Sequence, residues 1–197
     1  MNRYATSLEQ QVWGLCLVVG QLLMTLSTFF WQGRGYGVNV GMLVVLACVC
    51  WIPGMIGLFS LLKPRLPRYT ALGLPVAIYG CVGGALFGFE GMYTAVFNID
   101  HEVALQTWAQ YSLPFNLALF WPGPLFPLTL LILGLVYLYT KTTPWWAALL
   151  LAAGGIAFPL SRIPRIEWIA HVADLLLLIP VLYLGVLLMT QKRSTLS

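Results

Sequence analysis

Charge is what this sequence has least of. Of 197 residues, ten are Lys or Arg and six are Asp or Glu, so 8% are charged while 60% are hydrophobic. A water-soluble domain carries roughly 25% charged residues, so this composition excludes one. The net charge of +4 does not make a nucleic-acid surface either. The basic residues sit singly at the ends of apolar runs, where they set membrane topology.

Cysteine is sparse and unpatterned. Cys16, Cys48, Cys50 and Cys81 all fall inside apolar runs, with no CxxC, no CxxCH and no zinc spacing. Cys48 and Cys50 are two apart and point to different faces of a helix, so all four read as buried small thiols. Also missing are a glycine-rich phosphate loop, a GxSxG elbow, an HExxH pair, and a voltage-sensing or selectivity-filter sequence. No internal repeat or low-complexity tract is present.

Long uncharged runs are what the sequence does have, at 10–33, 35–62, 69–89, 103–140, 142–161 and 175–191. A spanning helix takes about 20 apolar residues. The pattern predicts one all-α transmembrane domain over 1–197: a six-helix bundle with approximate spans 12–32, 40–62, 71–97, 122–140, 144–161 and 165–190. The first apolar segment is longer than a signal-peptide core and lacks a small-x-small site, so it is expected to stay as the first helix. Lys63, Arg65, Arg68, Arg3, Lys141, Lys192 and Arg193 fall on one side, and Arg34, Arg162 and Arg165 on the other. That bias predicts both termini cytoplasmic, and the compact loops and small size point to a multi-pass protein of a plasma (inner) membrane. Trp145-Trp146 beside Lys141 reads as an inner-interface anchor, and Trp31 as an outer one.

Two segments stand out. The stretch from Asn98 to Trp121 is amphipathic and is expected to form an outer interfacial or re-entrant piece between the third and fourth spans. Its last residue opens the run Trp121-Pro122-Gly123-Pro124-Leu125-Phe126-Pro127, which is not expected to be regular helix throughout. In the third span Gly80, Gly84, Gly88 and Gly91 form a stripe at helical spacing. Such a stripe permits close helix crossing, either within the bundle or against another membrane subunit.

The acidic residues are confined. Apart from Glu9, all lie on the outer side or in the outer half: Glu90, Asp100, Glu102, Glu167 and Asp174. Both histidines, His101 and His171, are there too, with Arg162 and Arg165. Glu167, His171 and Asp174 are spaced i, i+4, i+7 and share a helix face, expected to look into the bundle because lipid rejects charge. Rise per residue puts Glu90 and Asp174 roughly 12 and 15 Å below the outer surface, at similar depth.

Three readings stay open. The first is a structural polar cap that holds helices together. The second is an outward-facing pocket of Glu90, Arg162, Arg165, Glu167, His171 and Asp174 that takes a small ligand, a proton or a lipid head group. There the arginines would recruit an anion. The third is a metal site in a membrane enzyme, with His101, His171 and Asp174 as candidate ligands. A binding role leads over an enzymatic one. An accessory subunit of a larger membrane complex is the alternative. The cofactor is left open, and the expected partners are the lipid bilayer and, through the Gly80/Gly84/Gly88/Gly91 stripe, other membrane subunits.

Overall fold

The computed structural model describes residues 7–31 and 37–190. Arg3, Arg34, Lys192 and Arg193, four of the basic residues in the topology count, lie outside the described residues, as does the side chain of His101. The elements are α1 (Ser7–Thr28), α2 (Gly37–Leu62), α3 (Pro67–Val96), α4 (His101–Ala109), α5 (Ser112–Phe115), a π-turn (Asn116–Phe120), α6 (Pro122–Thr140), α7 (Trp145–Arg162) and α8 (Glu167–Thr190). Among the described residues there is no strand. Among the described residues, six helices are long and apolar enough to cross a membrane.

The fourth of these begins earlier than the sequence suggests. It runs Ser112–Thr140, because α5 and the π-turn feed directly into α6. Only α4 remains as a separate short helix, so the expected interfacial segment is half its anticipated length. The proline run is also more helical than expected. Pro122 and Pro124 occupy the first turn of α6, where amide groups have no intrahelical acceptor and none is missed. Pro127 alone falls in the interior. The π-turn absorbs the register change before Pro122: the Trp121 amide donates to the Asn116 carbonyl at 2.8 Å. The Tyr79 hydroxyl donates to the Leu117 carbonyl and ties this turn to α3.

The spanning helices form a ring in chain order. α1 packs on α2, α2 on α3, α3 on α6, α6 on α7, α7 on α8, and α8 closes back on α1. Short turns between consecutive spans make neighbours antiparallel. The glycine stripe of α3 lies in this ring. A Cβ on Gly80 would meet the backbone of Phe126 in α6, one on Gly84 the Cys48 Sγ, and one on Gly88 the Gly41 carbonyl of α2. Gly91 is buried as well. The stripe is therefore covered by the chain's own helices. Of the cysteines, Cys48 and Cys81 are buried, while Cys16 and Cys50 are half-buried.

The two ends of the ring differ. The end bearing Lys63, Arg65, Arg68 and Lys141 is solid. Trp51, Met55, Leu58, Leu62, Leu130, Leu133, Leu151, Leu177, Leu184 and Leu188 fill its centre. There the Tyr137 hydroxyl crosses from α6 to donate to the Leu58 carbonyl at 2.7 Å. Pro53 sits within α2 one turn earlier. At the surface of this end the Arg65 guanidinium donates to the Thr140 carbonyl, joining two turns. Tyr137→Phe is expected to lower stability by about 0.6 kcal/mol, the average for a hydrogen bond between membrane helices. Reversible unfolding in mixed micelles would read it, and an unchanged midpoint would mean that Leu58 gains nothing from the hydroxyl.

The opposite half is hollow, and the sequence shows why. Its lining carries Val44 and Cys48 on α2, Gly84 on α3 and Gly155 on α7. Residues this small cannot fill the centre of a six-helix ring.

Candidate functional site

Two features occupy the hollow half: an ion-pair clasp that closes the ring, and the cavity beside it. The clasp is built on Asp174, which is 0% exposed and lies seven residues into α8, about 10 Å along it. Arg162, the last residue of α7, donates from Nη2 to Asp174 Oδ1 at 2.8 Å. Thr28, the last residue of α1, donates to Oδ2 at 2.6 Å. Three helices thus converge on one carboxylate. Arg162 Nη2 also lies 3.3 Å from Thr28 Oγ1, and Nη1 lies 3.2 Å from Ser161 Oγ and 3.5 Å from the Ala170 carbonyl. Its guanidinium stands 4.5 Å from the Phe158 ring centre and 5.3 Å from that of Trp31, positions that favour a cation over an aromatic face. The rigid fork of arginine suits this many partners where a lysine would not.

Gln21 extends the clasp along α1. It is fully buried, and its Nε2 reaches the Asp174 backbone carbonyl at 3.4 Å and Thr25 Oγ1 at 3.3 Å. Gln21, Thr25 and Thr28 are spaced i, i+4, i+7. This polar stripe on an apolar helix was legible in the sequence by the same rule that finds Glu167, His171 and Asp174, and it marks the partner face of α8.

The α8 stripe does share one face, but it emerges from the bundle. Side-chain exposure falls from 66% at Glu167 to 32% at His171 and to 0% at Asp174. The expectation that all three look inward is corrected for Glu167. It sits in the first turn of α8, at the end of the bundle, where water and the positive end of the helix dipole favour a carboxylate. His171 Nε2 lies 3.8 Å from Glu167 Oε1, and its ring lies 4.6 Å from that of Phe29. Nor do Glu90 and Asp174 come together. α3 and α8 are not neighbours in the ring, and Asp174 is turned to α1 and α7.

Glu90 instead lines the cavity, of about 730 Å3. Arg162 and Arg165 line it too. Its walls come from α1 (Met24, Ser27), α2 (Val44, Cys48), α3 (Gly84, Phe87), α6 (Phe126, Leu131) and α7 (Gly155, Phe158). Leu105 and Trp108 of α4 also contribute to the lining. Trp108 is held by stacking on Phe115, ring centres 5.2 Å apart and planes 13° apart. The Asp100 side chain caps α4 by accepting from the Glu102 and Val103 amides. Arg165 is fixed by its backbone: it is left-handed at φ 54°, in a turn closed by the Ile166 amide donating to the Ser161 carbonyl at 3.1 Å.

The cavity is graded in polarity. Along α3 and α7, Gly84 and Gly155 are the deep positions, and Glu90 and Arg162 lie six and seven residues nearer the helix ends. At 1.5 Å per residue the charged groups stand roughly 10 Å above the floor. An apolar floor below a charged mouth is complementary to an amphiphile, with the arginine charges able to attract a carboxylate or phosphate. Among the described residues, no three His, Cys, Asp or Glu side chains converge on one point that could hold a metal ion. Compared with known proteins, no family model, no curated protein and no solved structure matches this chain.

Proposed function

We propose that this multi-pass membrane protein binds a small amphiphile with an anionic head group in the cavity of its hollow half. Six helices long and apolar enough to cross a membrane support the reading of the chain as an integral membrane protein. The reading of the site rests on one observation, the cavity of about 730 Å3 with an apolar floor and Arg162, Arg165 and Glu90 toward its mouth. Helix bundles rarely leave voids larger than a water molecule, and pockets of roughly 300–1,000 Å3 are the size that holds a small ligand. The arginines take the head group, and Phe87, Phe126 and Leu131 cover the tail. The mouth lies at the end with fewer basic residues, so the positive-inside tendency makes it external, with both termini cytoplasmic in a plasma membrane. The accessory-subunit reading draws little support from the glycine stripe, of which Gly80 faces α6 and Gly84 and Gly88 face α2.

Ser27 supplies the test. It is buried, lines the cavity, and bonds only to the Met24 carbonyl of its own helix, at 2.6 Å. Ser27→Phe therefore removes little from the fold and places a ring where the ligand would lie. Native mass spectrometry from nanodiscs should show a retained anionic amphiphile on the wild type and its loss from Ser27→Phe, with equal thermal midpoints. A wild-type chain that carries none, and takes up neither a fatty acid nor an anionic lysolipid when they are supplied, would end this reading.

A further inference from the structure

The cavity is not closed on all sides. Most lining residues of α1 and α2 are buried, but five from α6, α7 and the turn after it are both lining and exposed: Pro124, Leu128, Ile156, Leu160 and Ile163. Leu128 is 45% exposed, Ile156 50% and Leu160 60%. They belong to the outward stripes of their helices, the faces that a spanning bundle turns to lipid. The cavity therefore runs out sideways between α6 and α7.

The packing of these two helices explains the slot. They touch closely through the solid half and up to the cavity floor: a Cβ on Gly134 would meet Ala148 and Ala152, and one on Gly155 would meet Leu131 and Pro127. Past Gly155, toward the end of α7 and the start of α6, no glycine contact holds them together. Each helix carries an interior proline there, Pro127 and Pro159. Proline removes one backbone hydrogen bond and favours a bend, which lets the two helices lean apart beyond the Gly155 contact. The carbonyls that lose their donors are those of Gly123 and Gly155, and both residues line the cavity.

We infer that the occupant is a membrane lipid that enters from the side, its chain passing between α6 and α7 while its anionic head stays at the level of Arg162 and Arg165. This rests on the cavity reading above and adds the source and route of the ligand. The levels match. Arg162 ends α7, and Leu128 and Ile156 each lie six residues below their helix ends, about 9 Å into the hydrocarbon. A lipid standing in that leaflet already has its head at the arginines and its chain at the slot, so it needs no inversion. A solute arriving from water would instead enter past the charged groups at Arg162, Arg165 and Glu90, with no membrane to hold its tail at the slot.

The test uses the full chain in phosphatidylcholine vesicles with a few per cent of phosphatidylglycerol carrying a photoactivatable acyl chain. A water-soluble short-chain photoactivatable carboxylate is the second probe. Labelled residues are read by peptide mass spectrometry against time. The lipid probe should label the floor, at Cys48 or Leu131. Leu128→Trp and Leu160→Trp, at exposed positions that tolerate bulk, should slow that labelling about tenfold, the effect of roughly 1.4 kcal/mol on the barrier. Leu135→Trp, 52% exposed on α6 but outside the lining, should leave it unchanged. Equal rates in the slot variants, or floor labelling by the soluble probe alone, would overturn side entry and leave the cavity reading standing. Absence of floor labelling by either probe would overturn both.

Discussion

Arg162→Ala is expected to destabilise the bundle by roughly 3–5 kcal/mol, the range for breaking a buried ion pair from one side. Asp174 is wholly inaccessible, and Thr28 alone would remain to satisfy its charge. Asp174→Ala should do less harm. The Arg162 side chain keeps 10% exposure and sits at a helix end, so the guanidinium can move toward the aqueous surface as long cationic side chains do. The double variant Arg162→Met with Asp174→Leu should recover most of the loss, because replacing both partners with apolar groups of similar volume is often neutral or stabilising. With the single variants Arg162→Met and Asp174→Leu added, reversible unfolding of these two, the double variant and the wild type in the same mixed micelles gives the cycle. Additive losses in the double variant would show that the two residues do not act on each other.

The cycle also separates the two roles of Arg162, which faces Asp174 on one side and the cavity on the other. A double variant that folds as well as the wild type but no longer retains an anionic amphiphile would show that the pair serves the ligand more than the fold. One that folds and still retains the amphiphile would leave Arg165 as the head-group residue.

The six spans were legible because each long apolar run is bounded by charge or by Pro-Gly punctuation, and a backbone in lipid has few other choices. The start of the fourth span was not. Three prolines near its beginning looked like a break, yet two stand where a helix has amides to spare. The polar residues of the site were visible one at a time, but their pairing was not. Equal depth suggested Glu90 with Asp174, whereas ring order decides who meets whom, and α8 neighbours α1 and α7. Depth along a helix follows from rise per residue. Azimuth around a bundle depends on which helices touch, and one sequence carries that only faintly, here in the matching stripes of Gln21, Thr25 and Thr28 on α1 and of His171 and Asp174 on α8. The cavity could not be read at all. It arises from small residues on α2, α3 and α7 that coincide at one level only once the ring is closed.

Those small residues carry the second large effect. Gly41 and Gly88 face each other across the α2–α3 crossing. A Cβ on Gly41 would lie 2.3 Å from the Gly88 carbonyl oxygen, and one on Gly88 would lie 2.8 Å from that of Gly41. Neither obstacle is a side chain that can rotate away, so a single methyl must push two backbones apart. Alanine otherwise favours a helix over glycine by about 1 kcal/mol, and at an uncrowded site Gly→Ala would stabilise. Gly41→Ala should instead lose about 1–3 kcal/mol net, the usual effect of overpacking, and Gly41→Leu more. Gly84→Ala is the control within the same stripe. Its Cβ would meet only the Cys48 Sγ, at 2.8 Å, and a thiol can turn aside, so its midpoint should stay near that of the wild type. The contrast tests the crossing itself, because composition and helix propensity treat the substitutions alike. Equal midpoints for Gly41→Ala and Gly84→Ala would mean that α2 and α3 do not touch through Gly41 and Gly88. A seam that opens there also widens the cavity, since Val44, Cys48 and Gly84 lie in both. The destabilised Gly41→Ala should therefore exchange its bound amphiphile faster than Gly84→Ala does.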